Sequence, residues 1–280
     1  MATLPTSNSY GTVTNSATAG GDDAITDDGQ QSPLLGRKPE MKSWWRRKMA
    51  VDVRRDWADV VLLACYIITG ILDSASISTW GAFVSMQTGN TVYVGLGPTA
   101  GTNRWKKSGV SILAFCIGSF FFSRLHRAFS PSPKRKWVLC LSFVIQMVFI
   151  VVAASILTWG PKGAGPDDVP WYVIVPIGLV ALQSCGQAVA SRALKYNALT
   201  SVVLTSIYCD LFSDAELFES IFVNVERNQR MAAPALLLIG ALIGGFIAKS
   251  ALGAAGALWV AAALKLVIVV SWALWPAEGS

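Results

Sequence analysis

The stretch ADVVLLACYIITGILDSASISTWGAFVSMQTGNTVYVGLG, residues 58–97, decides the class of fold. Its first part, 58–79, is apolar and long enough to cross a hydrocarbon core of ~30 Å as a helix rising 1.5 Å per residue. Asp59 can be solvated at the helix entrance, but Asp73 stands deep in the run. A carboxylate in hydrocarbon costs several kcal/mol, so Asp73 is expected to face a polar cavity and carry function. The next segment, 82–97, is shorter and dense in Gln, Thr, Gly and Asn. Segments of that length and polarity are characteristically re-entrant or broken helices.

Working outward, five further long apolar runs follow at 108–128, 137–158, 171–191, 232–250 and 254–275. A second short polar segment lies at 199–212. The chain of 280 residues is 53% hydrophobic and 14% charged, with mean hydropathy +0.48. Soluble domains carry about 25% charged residues, so most of this chain has no water to face. The expected fold is an all-α polytopic membrane protein: six spanning helices plus two short re-entrant segments.

The formal net charge is +6, yet the bases sit in the N-terminal tail and between the runs. That is the pattern of membrane topology, and it excludes a nucleic-acid partner. The five cysteines fall in apolar stretches without a CxxC pair and read as small buried hydrophobes. His126, the only histidine, reads as a solvated residue at a basic helix end. No glycine-rich phosphate loop, Ser-His-Asp set or metal cluster is present, so neither an enzyme nor a cofactor or metal is expected.

Residues 1–40 are rich in Ser, Thr, Gly, Asp and Gln and lack apolar periodicity, as a disordered tail does. In 41–57, Trp44, Trp45 and Trp57 alternate with Lys and Arg. Aromatic rings favour the headgroup zone and bases an anionic leaflet, so this segment reads as an interfacial helix contacting lipid from the cytoplasmic side. The host bilayer reads equally as a plasma membrane or a vacuole-like organelle.

The membrane region divides into two repeated halves, 58–159 and 171–276, joined by a loop at 160–170. Gly70-Ile71-Leu72-Asp73-Ser74 followed by Thr88-Gly89-Asn90 is echoed by Ala181-Leu182-Gln183-Ser184 followed by Thr205-Ser206. Ile117-Gly118-Ser119-Phe120 is echoed by Ile243-Gly244-Gly245-Phe246. If both short segments span, giving eight helices, the bases of the loops fall mostly outside. If both re-enter, Arg124, Arg127, Lys134, Arg135, Lys136, Arg192, Lys195, Arg227 and Arg230 lie inside. The second arrangement obeys the positive-inside rule and is preferred. Each half then has three spans, so the halves are inverted, an architecture common in secondary transporters.

The candidate binding residues are Asp73, Gln87, Thr88, Gly89 and Asn90 from the first half and Gln183, Gln187, Thr205 and Ser206 from the second. Asp73 and Gln183 occupy equivalent positions in the alignment. Amide and hydroxyl groups can hold a solute or satisfy freed backbone groups. Lys265 lies mid-helix, where pairing with a carboxylate such as Asp73 or Asp210 is one option and snorkelling the other. Ser213-Asp214-Ala215-Glu216 resembles a capping box, and the apolar spacing after it suggests an amphipathic helix on the membrane surface. Gly240-xxx-Gly244 has the spacing of helix dimers, which brings a homo-oligomer into consideration.

Gly70-xx-Asp73-Ser74-Ala75 followed by Phe83-Val84-Ser85-Met86-Gln87-Thr88-Gly89-Asn90-Thr91 resembles the signature of the YoaK-like family of uncharacterised membrane proteins, domain of unknown function 1275. Ala181-Leu182-Gln183 and Leu204-Thr205-Ser206 are similar to that family's Gly-x-Gln and Thr-Gly elements, with Ala181 and Ser206 in place of glycines. The resemblance covers residues 55–276 and implies a multi-span membrane protein. The leading expectation is a transporter of a small solute or ion, with a polar site between the halves. The alternative is a non-transporting scaffold or lipid-organising protein. A chain starting at Met41 is expected to insert and elute as a monodisperse species on size exclusion; aggregation would show that the tail is needed for folding.

Overall fold

The computed structural model describes residues 49–50, 52–53, 58–128, 136–165, 167–196 and 199–275. The tail and the tryptophans and bases of the interfacial segment lie outside the described residues. The described residues form eight helices: α1 (Ala58–Trp80), α2 (Gln87–Ala100), α3 (Arg104–Ala128), α4 (Lys136–Trp159), α5 (Trp171–Ala193), α6 (Thr205–Phe212), α7 (Val225–Lys249) and α8 (Gly253–Leu274). All but α2 and α6 are long and apolar enough to cross a membrane.

Both short segments fold back against the long helix that precedes them. α1 stops at Gly81, whose φ of +74° is a left-handed turn that a side chain would strain. The chain then folds back along α1. Val84 and Ser85 meet Asp73, seven residues before the end of the helix and so roughly 10 Å inside it at 1.5 Å per residue. From there α2 runs outward to Gly101, again left-handed at φ +61°. The hairpin leaves where it entered: the Arg104 Nε–H at the start of α3 donates to the Gly81 carbonyl, and the guanidinium lies 3.5 Å over the Tyr93 ring. In the second half Ser201 meets Gln187, six residues before the end of α5. Helix α6, of eight residues, is only about 12 Å long.

The membrane faces follow from contacts between loops. Asn103 Nδ2 donates to the Asp167 carbonyl at 3.0 Å, placing the 101–104 turn beside the 160–170 loop. On the opposite face, Gln229 Nε2 donates to Asp59 at 2.7 Å and Lys136 Nζ donates to the Trp275 carbonyl at 2.6 Å.

Glycines set the closest helix packing. A Cβ on Gly240 would lie 2.2 Å from the Ile67 carbonyl oxygen, one on Gly244 2.4 Å from that of Ile71, and one on Gly70 2.2 Å from that of Leu237. Helices α1 and α7 therefore run parallel in backbone contact. The Gly240-xxx-Gly244 spacing serves this intramolecular seam. Helices α3 and α5 also run parallel, with Gly118 against Leu182 and Cys185. Helices α4 and α8 pack antiparallel, from Lys136–Trp275 at one end to Thr158–Trp259 at the other. The most buried spans are α1 and α5, and the most lipid-exposed are α3 and α7.

Three sequence expectations change. Residues 213–224 form turns instead of an amphipathic helix. The buried Arg227 guanidinium collects the carbonyls of Glu216, Glu219 and Ser220 at 2.5, 2.7 and 2.9 Å. Carbonyls turned onto one cation are lost to i→i+4 bonding. Phe218 and Phe222 project outward from this knot. His126 is buried at the end of α3, not solvated. Of the cysteines, Cys65, Cys140 and Cys185 are buried, while Cys116 and Cys209 face outward.

Gly240→Val should destabilise the protein by at least the roughly 1–3 kcal/mol of overpacking, because backbone, not a flexible side chain, occupies the space. Gly245→Val, on the same helix with nothing near its Cβ position, should leave stability close to wild type. Thermal unfolding in detergent reads both; equal melting temperatures would refute the tight seam.

Candidate functional site

The first hairpin is closed by side chains that stand in for missing backbone partners. Asn90 Oδ1 accepts from the Phe83 N–H at 3.0 Å, and its Nδ2 donates to the Phe83 carbonyl at 2.8 Å and to Gln87 Oε1 at 2.9 Å. One amide thus does for Phe83 what a neighbouring strand would do. Gln87 Nε2 donates to the Val84 carbonyl and to Ser111 Oγ on α3, both at 3.2 Å. Gly89 is required because a Cβ there would come 2.9 Å from the Phe83 ring.

Asp73 anchors the same hairpin from below. Its Oδ1 accepts from the N–H groups of Val84 and Ser85 at 2.9 and 3.0 Å, and its Oδ2 accepts from the Ser85 hydroxyl. These bonds satisfy groups that would otherwise be orphaned at membrane depth. In the second half the anchoring residue is Gln187. Its Nε2 donates to Ser201 Oγ at 2.9 Å and to Thr69 Oγ1 on α1 at 3.0 Å. Ser201 adopts φ +60°, and its backbone hydrogen-bonds the Tyr66 hydroxyl. The residue of α5 that bonds the second link is thus Gln187, one turn beyond the Gln183 that the sequence comparison set against Asp73. Gln183 Nε2 donates to Ser184 Oγ at 2.9 Å, and the carbonyl oxygens of Gln183 and Gln187 meet no protein donor.

Among the described residues, Lys265 pairs with no carboxylate. Its Nζ donates to Gln146 Oε1 at 2.7 Å and lies 4.7 Å from the Phe143 ring centroid.

The two re-entrant links meet across a cavity of about 150 Å³. The first half lines it with Ser85, Gln87 and Thr88 from the hairpin and Phe115 and Ser119 from α3. The second half lines it with Cys185, Ala188, Val189 and Arg192 of α5 and with Val202 and Val203 of the second link. Arg192 is the sole charged residue on this wall, and it makes no ion pair with the described residues. The positive dipole end of α2, at Gln87 and Thr88, borders this cavity.

Of the nine candidate residues, Gln87 and Thr88 line the cavity. Asp73, Gly89 and Asn90 build the hairpin behind that wall. Gln183 and Gln187 are buried but do not line it, and Thr205 and Ser206 are exposed at the start of α6. Sequence reasoning passed over Ser85, Ser119, Val202, Val203 and Arg192. The arginine was read only as a topology charge, although its place one turn after the Cys185–Val189 face was open to view.

A family model described as a protein of unknown function, DUF1275, matches residues 61–271, from the first turn of α1 almost to the end of α8. The chain belongs to the DUF1275 family. No curated protein and no solved structure matches it. In this DUF1275 protein the Gln-Thr-Gly-Asn block that carries the family resemblance is largely the fabric of the first hairpin, with Thr88 facing the cavity.

Asp73→Ala leaves two N–H groups and a hydroxyl without their acceptor, at about 1–3 kcal/mol each. Asp73→Asn keeps an acceptor oxygen and should be milder. Melting temperatures should fall in the order wild type, Asn, Ala; an Ala variant as stable as wild type would remove the anchoring role.

Proposed function

We propose that this DUF1275 protein transports a small solute or ion across its membrane, binding it in the cavity between the two re-entrant links. The observation that carries this reading is that both irregular segments, entering from opposite faces, border one half-polar space. Irregular backbone at such depth is tolerated where it is buried in protein or lines a water-filled cavity, and discontinuous segments of this kind form solute sites in secondary transporters.

The helix pairing supports an inverted-repeat origin. Exchanging the halves turns the parallel α1–α7 seam into the parallel α3–α5 pair and returns the antiparallel α4–α8 pair to itself. Alternating access would then move one pair against the other around the fixed cavity. The face bearing Arg124, Arg127, Arg192, Lys195, Arg227 and Arg230 is assigned to the cytoplasm by the positive-inside rule. The N-terminal side of α1 shares that face through Asp59–Gln229.

Single-cysteine labelling with a membrane-impermeant thiol reagent tests the reading, in a background with Cys116 and Cys209 replaced. Thr102→Cys should react only from outside and Lys195→Cys only from the cytoplasmic side. Thr88→Cys should react from both sides, as a residue in an alternately opened cavity does. Labelling of position 88 from one side alone would overturn transport by alternating access.

A further inference from the structure

We infer that the solute held in this cavity is a small monoanion with a short apolar tail, a carboxylate of about four carbons. The inference rests on the reading of the cavity as a solute site and names the chemistry that its walls select.

Charge comes first. Arg192 brings to the wall a guanidinium with no ion-pair partner among the described residues, and no described carboxylate lines the space. Behind the wall, Asp73 of α1 turns both oxygens onto Val84 and Ser85. A cationic solute would therefore meet one positive charge and no counter-charge. A carboxylate would match the planar fork of an arginine, which binds it through two parallel N–H···O bonds.

The neutral polar groups agree. The Thr88 hydroxyl has no partner among the described residues, so it can donate to an anion. Ser119 adds a second hydroxyl on the facing helix. Beside these groups the wall is completed by Phe115, Cys185, Ala188, Val189, Val202 and Val203. A halide or inorganic phosphate would leave that apolar face wet, whereas an alkyl tail would cover it. Size sets the tail. A cavity near 150 Å³ takes a molecule of about six non-hydrogen atoms, the size of benzene or butyrate.

The test uses the full chain in lipid nanodiscs with radiolabelled butyrate as the probe. Butyrate should bind saturably, and unlabelled butyrate or propionate should displace it. Butyramide and butylammonium, of the same shape with no charge or the opposite charge, should not. Arg192→Gln should weaken binding at least tenfold, with Arg192→Lys in between. Because Arg192 is exposed, its variants should retain the wild-type elution profile. Val203→Trp, which fills the cavity from the second link, should abolish binding independently. Equal competition by butyramide, unchanged affinity in Arg192→Gln, or no butyrate binding at all would overturn the proposal. Failure of the transport reading looks different. Butyrate that binds but shows no counterflow in proteoliposomes would retain the anion site and reject transport. Two-sided labelling of position 88 without butyrate binding would retain transport and reject this solute class.

Discussion

Backbone polar groups at membrane depth must find partners in the protein, and this constraint governs the fold. The 81–86 and 199–204 links carry non-helical backbone far from water. Each unsatisfied N–H or C=O there would cost several kcal/mol. Asp73 and Asn90 discharge much of that demand in the first link with side chains, and the Tyr66 hydroxyl meets the Ser201 backbone in the second. The polar residues of the interior are therefore first a scaffold for irregular chain. The cavity exists because that scaffold holds two links apart at a distance the apolar spans alone would close.

This places Asp73 in a different light from the one its sequence position suggests. A carboxylate inside an apolar helix invites a reading as a solute or proton site. Its oxygens are committed to Val84 and Ser85, so its direct work is to hold the wall whose outer surface, Ser85 to Thr88, meets the cavity. The charged group that reaches the cavity itself is Arg192, at the end of a different helix in the other half.

The spans were legible because each is a long apolar run with no competing reading. The re-entrant segments were legible because 82–97 and 199–212 are too short and too polar to span, and the loop charges agreed. The anchoring pair was harder to see. Short matches aligned Gln183 with Asp73, but the residue of α5 that bonds the second link at Ser201 is Gln187, one turn further on. Thr205 and Ser206 looked like partners for Thr88-Gly89 because they fill the same slot in the repeat. The cavity is instead bordered by Val202 and Val203, whose side chains give no polar signal to find. The surface segment after Ser213 has the apolar spacing of a helix, yet Arg227 captures the carbonyls a helix would need.

The glycine seam between α1 and α7 has a mechanical meaning. With main-chain atoms already where Cβ atoms would stand at Gly70, Gly240 and Gly244, these helices have no room to slide past one another. They form a single beam, and α1 carries on it the carboxylate that fixes the first hairpin. That hairpin is also stitched to α3 through Gln87 and Ser111, so the beam ends in a hinge-pin borrowed by the opposite pair. A rearrangement that preserved both the seam and this bond would pivot beside Gln87, at the edge of the cavity.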